Sequence, residues 1–80
     1  MNLHHSDMKS LLLASEMDIN LKSKVIKHLD SMYGSAESID SFQIWSRIQE
    51  PDLRAVVYEF VQDSIKIIAN STNEVNMFNN

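Results

Sequence analysis

An all-α fold, a small bundle of three to four helices with a long C-terminal helix, is what this sequence predicts. The stretch PDLRAVVYEFVQDSIKIIA (residues 51–69) sets Leu53, Val56, Val57, Phe60, Val61, Ile67 and Ile68 on one broad face at helical spacing, with Asp52, Glu59, Gln62, Asp63 and Lys66 opposite. One Gly and one Pro in 80 residues leave too little turn chemistry for a tightly turned sheet. Hydrophobic residues make up 44% of the chain, which suits a packed domain rather than a disordered one.

Residues 1–5 read as a frayed start. Ser6 can cap a first short helix, with Asp7 at its positive end. Met8, Leu11 and Leu12 form its apolar face, widened by Leu13 and Met17. So short a helix does not persist alone, so it has to dock on the core or on a second chain. Asp18 is the next N-cap. Leu21, Val25, Ile26, Leu29, Met32 and Tyr33 then make a helical stripe that Gly34 closes as a left-handed C-terminal residue. Residues 34–39 (GSAESI) read as a loop. Asp40 and Gln43 match a capping box, and Phe42, Ile44, Trp45 and Ile48 give a short third helix its apolar side. That helix stops at Glu50, because the residue before a proline is pushed away from the helical conformation. Gln49 and Glu50 form a corner, and Pro51 opens the long helix where its missing N–H costs nothing. The pattern ends near Asn70. Residues 1–70 are therefore one helical domain and residues 71–80 a polar, Asn-rich tail expected to be disordered. In that tail Val75, Met77 and Phe78 are available to fold back or to dock.

A domain this small buries only about 60% of the surface its unfolded chain exposes, so its stability is marginal. The absence of cysteine excludes disulfides, thiolate zinc sites and Cys nucleophiles, which leaves self-association or a partner as the remaining support. No apolar run approaches the roughly 18 residues of a membrane span. Residues 1–20 lack a basic start followed by an apolar core, so a cytoplasmic protein is expected. Asn70, Ser71 and Thr72 match a glycosylation acceptor and are read as chance.

The net charge of −4 is unevenly placed. Residues 1–33 balance, whereas residues 34–80 set Arg47, Arg54 and Lys66 against Glu37, Asp40, Glu50, Asp52, Glu59, Asp63 and Glu74. An acidic C-terminal half argues against nucleic acid, which wants a basic field, and suits a basic patch on another protein. The third and fourth helices do have the outline of a helix-turn-helix. The helix that would read bases offers one cation, Arg54, between Asp52 and Glu59, which repel phosphates. The one basic patch, Lys22, Lys24 and Lys27 with His28, lies on the acid-free stretch between Asp18 and Asp30, where it can meet phosphate or an acidic surface.

Catalytic signals are sparse. His4 and His5 are adjacent and diverge by about 100° on a helix, which does not make a metal pair. His28 borders an apolar stripe. Gly-rich phosphate loops, GxSxG and HExxH patterns are missing. No enzymatic activity, cofactor, metal or small-molecule substrate is expected. Glu59 and Asp63 lie one turn apart on the outer face with Lys66 beyond them, either a solvated face or a contact for a basic partner. Tyr33, Phe42, Trp45 and Phe60 read as core. Tyr58 and Ile65 stand on the flank of the long helix with Arg54 beside them, a composition favoured at interface cores. The candidate partner-binding residues are thus Arg54, Tyr58, Glu59, Asp63 and Ile65, with Lys22, Lys24 and Lys27 as a basic contact patch.

The layout over residues 21–68 is two amphipathic helices, a loop, and a corner into a long helix. It resembles small bacterial regulators of the biofilm-connector kind, a resemblance that rests on hydrophobic spacing and implies helices paired in a dimer. EPDLRAVVYEFVQ is similar to the Pro-containing corner of type III secretion needle subunits, while residues 39–48 depart from that pattern. That resemblance implies a helical assembly subunit. The leading expectation is a small bacterial or phage regulator, adaptor or inhibitor that acts by protein–protein interaction, in one form as a homodimer. The alternatives are a transcriptional regulator binding DNA through the third and fourth helices, and a helical assembly or secretion subunit.

Overall fold

Asp18 accepts hydrogen bonds from the backbone N–H groups of Asn20 (3.1 Å) and Leu21 (3.3 Å), and the chain turns helical immediately after it. The computed structural model describes residues 1–79, with side chains through Ser71. Its elements in chain order are β1 (Asn2–His4), α1 (His5–Ala14), α2 (Ile19–Tyr33), β2 (Ser38–Asp40), α3 (Ser41–Ser46) and α4 (Pro51–Asn79). The fold is all-α in its mass, with four helices among the described residues, and α4 is the longest. None of its described helices is long and apolar enough to cross a membrane.

The helix boundaries follow local chemistry. Gly34 ends α2 at φ 55 and ψ −118, and its N–H bonds Asp30 O at 3.0 Å. Few L-residues adopt that backbone region without strain. Asp40 caps α3 through the N–H of Phe42 (3.0 Å), and Pro51 is the first residue of α4. The helical backbone of α4 runs on past Asn70 to Asn79. The polar tail expected over residues 71–80, with Val75, Met77 and Phe78, lies beyond the described side chains apart from Ser71.

Residues 1–5 are not frayed. β1 pairs antiparallel with β2 in the register Asn2↔Asp40, Leu3↔Ile39 and His4↔Ser38, so the loop expected over residues 34–39 ends in a strand. Three-residue strands carry no readable alternation, which is why the sequence hid them. Tertiary contacts hold them instead. Leu3 is 1% exposed, and the Tyr33 hydroxyl donates to the Leu3 carbonyl at 2.8 Å. The His5 ring stacks on Tyr33 with centroids 4.5 Å apart, and its Nε2 lies 2.8 Å from Asp30. Lys9 adds a 3.3 Å contact to the same carboxylate. The hydrogen bonds from His5 and then Lys9 hold the Asp30 carboxyl below the usual range. Burial, reinforced by the charge of Asp7, pushes the Tyr33 phenol up to about 12. Because β1 runs straight into it, α1 starts at His5 without a side-chain cap, rather than after a capping Ser6.

The core gathers Leu3, Met8, Leu12, Val25, Leu29, Tyr33, Ile44, Ile48, Leu53, Val57, Phe60 and Val61. Burying each of these large side chains contributes about 1.5–3 kcal/mol before ordering entropy is subtracted. Among the described helices, contact is most extensive between α3 and α4 and between α1 and α2, and α1 also touches α4. The first helix, expected to dock on the core or on a second chain, therefore bridges the two longer helices. Three residues assigned to apolar faces stay exposed: Leu13, Phe42 and Ile67. Ser64 takes an unexpected place in the core at 1% exposure and satisfies its hydroxyl on Phe60 O at 2.8 Å. The buried stripe of α4 is thus centred on Leu53, Val57, Val61 and Ser64, rotated away from Ile67.

Candidate functional site

Helix α3 divides its apolar residues between two sides. Ile44 and Ile48, four positions apart, fall together and are buried. Phe42 lies about 160° from Ile44 around the helix, so it cannot share that face. It joins Trp45, three positions on, along the opposite edge. The Phe42 and Trp45 rings meet edge to face at 5.0 Å and 74°. The corner at Gln49 and Glu50 then folds the first two turns of α4 back beside α3. This brings Tyr58 against Trp45, at 5.0 Å and 89°, and sets the Arg54 guanidinium over the Trp45 ring at 5.0 Å.

Trp45 is therefore the hub of an aromatic cluster at the α3–α4 corner. It is half-buried against the core, while Phe42 is 59% and Tyr58 46% exposed. An open cleft of about 400 Å³ lies along it, lined by Trp45, Gln49, Pro51, Arg54, Ala55 and Tyr58. Edge-to-face ring pairs and a cation over an indole each contribute about 0.5–1.5 kcal/mol, so these contacts favour the arrangement while much of the cluster's surface faces solvent.

The predicted partner-binding residues do not form one surface. Arg54 and Tyr58 join the cluster. Ile65, placed on the same flank, is half-buried and packs on the core instead. Glu59 and Asp63 lie on the other side of α4, where they line a small cleft of about 180 Å³ with Ser15, Met17, Val56 and Phe60. The basic patch is dispersed as well. Lys22 Nζ donates to the Leu13 carbonyl at 2.9 Å and so closes the end of α1. Lys24 reaches Glu50 at 3.9 Å, across an exposed and screened gap. Lys27 stays exposed.

Phe42, Trp45, Gln49 and Pro51 are site residues that the sequence reading assigned to the core or to the corner. One signal was available for Phe42 and Trp45: their three-residue spacing is out of phase with the Ile44 and Ile48 pair. Nothing in the sequence marked Gln49, because its role depends on how the corner folds.

A polar cleft of about 530 Å³ beside β1 is lined by His4, His5, Ser6, Lys9 and Glu37, among others. Its His5 and Lys9 side chains both face Asp30, so they serve to anchor β1 and α1 to α2. Among the described residues no group of three or more His, Cys, Asp or Glu side chains is arranged to hold a metal ion. No protein-family model, curated protein or solved structure matches this chain significantly.

Proposed function

We propose that this chain is a small non-enzymatic protein, a regulator, adaptor or inhibitor, that acts by docking a protein partner on the aromatic cluster at the α3–α4 corner. The single observation that carries this reading is the Phe42, Trp45 and Tyr58 cluster with Arg54 stacked on it. Aromatic rings and Arg are the side chains enriched at the energetic centres of protein interfaces. Leaving Phe42 and Tyr58 in water is unfavourable for a small domain, and covering them with a partner recovers apolar burial. The missing cysteine and the scarcity of glycine in the sequence support a binding role over a catalytic one. DNA binding gains little: Arg54 lies on Trp45 between flanking acids, and Lys22 and Lys24 are engaged within the chain.

Photo-cross-linking in the native host tests the reading, with a photoreactive phenylalanine at position 42 and a control at exposed Lys66. A discrete adduct from position 42 that disappears in Tyr58→Ser, with none from position 66, is the expected result. An adduct to a second copy of the chain assigns the surface to a homodimer. Equal labelling from both positions, or none from position 42, defeats the proposal.

A further inference from the structure

Among the described residues Arg54 is the one charged side chain lining the α3–α4 cleft, in a half of the protein whose excess charge is negative. Its guanidinium lies over the Trp45 face at 5.0 Å. A guanidinium carries a fork of five N–H donors, which a ring face cannot all engage, so donors remain for a planar acceptor. Among the described residues no carboxylate forms an ion pair with it. Glu50, one turn earlier, accepts the Arg54 backbone N–H at 2.9 Å, but its carboxylate faces Lys24 at 3.9 Å. Gln49 and Trp45 also line the cleft, and neither side chain makes a hydrogen bond among the described residues.

We propose that the cleft recognises a partner segment in which one carboxylate neighbours a proline or an aliphatic side chain. The proposal rests on the docking reading above and names the chemistry of its partner. The carboxylate of an Asp or Glu takes two N–H donors of Arg54 as a two-point acceptor, the pairing for which a planar guanidinium is suited. The adjoining apolar side chain lies against Trp45, Pro51 and Tyr58, as in grooves where aromatic rings receive extended, proline-containing segments. Gln49 and the indole N–H supply donors for the segment's backbone carbonyls. Glu50 and Asp52, next in sequence to the lining residues Gln49 and Pro51, disfavour phosphate backbones and densely acidic surfaces, so the cleft selects for an isolated carboxylate.

A displayed library of random dodecapeptides, selected on the immobilised full chain, is the probe. Enriched peptides are expected to carry Asp or Glu within two positions of Pro, Leu, Ile or Val, and to change the emission of Trp45, the chain's only tryptophan. Arg54→Gln should weaken them about tenfold or more, the scale of one hydrogen bond to a charged group. Arg54→Lys should weaken them as well, because it keeps the charge and loses the fork. Arg54 is exposed, so both variants should retain the wild-type helical signal, and that is checked by circular dichroism. Enriched peptides without acids, equal binding to wild type and Arg54→Gln, or no enrichment each overturn the proposal. So does a dimer of the chain that Arg54→Gln dissociates, since a second copy then fills the cleft. Peptides lost in Tyr58→Ser but kept in Arg54→Gln remove the carboxylate assignment and leave the docking surface standing. A failed cross-link at position 42 strikes at the docking surface itself.

Discussion

Tyr33 does three things at once. It fills the core, offers a face to His5 and holds the Leu3 carbonyl through its hydroxyl. Tyr33→Phe keeps the first two and leaves a buried carbonyl short of a donor, so it should cost about 1–2 kcal/mol in urea unfolding. Amide exchange should accelerate first in β1. The raised phenol pKa adds a pH signature. A group that titrates at about 12 when folded, against 10.0 normally, stabilises the fold fully below pH 10 and loses that contribution as pH climbs toward 12. A thermal-melting series should show this alkaline decline in the wild type and a shallower one in Tyr33→Phe. Gly34 is the other residue with a specific backbone duty. A Cβ there meets nothing within 4 Å, so Gly34→Ala tests backbone strain alone. The conformation at φ 55 and ψ −118 predicts a loss of about 1–3 kcal/mol, read from the denaturant midpoint.

At the level of elements, α3 and α4 separate stability from binding. Sequence periodicity alone places Phe60 and Trp45 together in the core and predicts that truncating either one unfolds the domain. The structure keeps this for Phe60, 8% exposed, where Phe60→Ala should cost about 3–5 kcal/mol. Trp45 is half-buried, with one side against the core and another facing the cleft. Trp45→Ala should therefore lose less stability than Phe60→Ala in the same melt, keep its helical circular dichroism, and lose peptide binding. Both caps at Asp18 and Asp40, the Gly34 stop and the Pro51 start were legible, because each depends on a few adjacent residues. The facing of Phe42, the burial of Ser64 and the exposure of Ile67 were not. A stripe of apolar residues says that one side of a helix is covered, and the neighbouring helix decides how far around the cover extends.

Across the whole molecule, α1 is the piece whose importance was hardest to see. Ten residues long, it carries Met8 and Leu12, both 0% exposed, and touches α2 and α4. Leu12→Ala should cost about 2–5 kcal/mol and shift the far-ultraviolet signal and the Trp45 emission together, since the helix it loosens joins both layers. Separate transitions for the two signals would mean that the α3–α4 corner folds independently of α1. The candidate site divides in the same way as the fold. Helical spacing placed Arg54, Tyr58 and Ile65 on one flank and Glu59 and Asp63 on the outer face, but only the packing shows that Ile65 turns to the core and that the two acids lie apart from the cluster. By itself the chain determined its all-α class, the starts of α2, α3 and α4, the Gly34 stop of α2 and its uneven charge, all set by local propensity and composition. Only the tertiary structure decided that the first residues form a strand and that Trp45 collects Phe42, Arg54 and Tyr58. The first depends on contacts between segments far apart in sequence, and the second on how the corner folds α4 back beside α3; in both, tertiary contact rather than local preference selects the conformation.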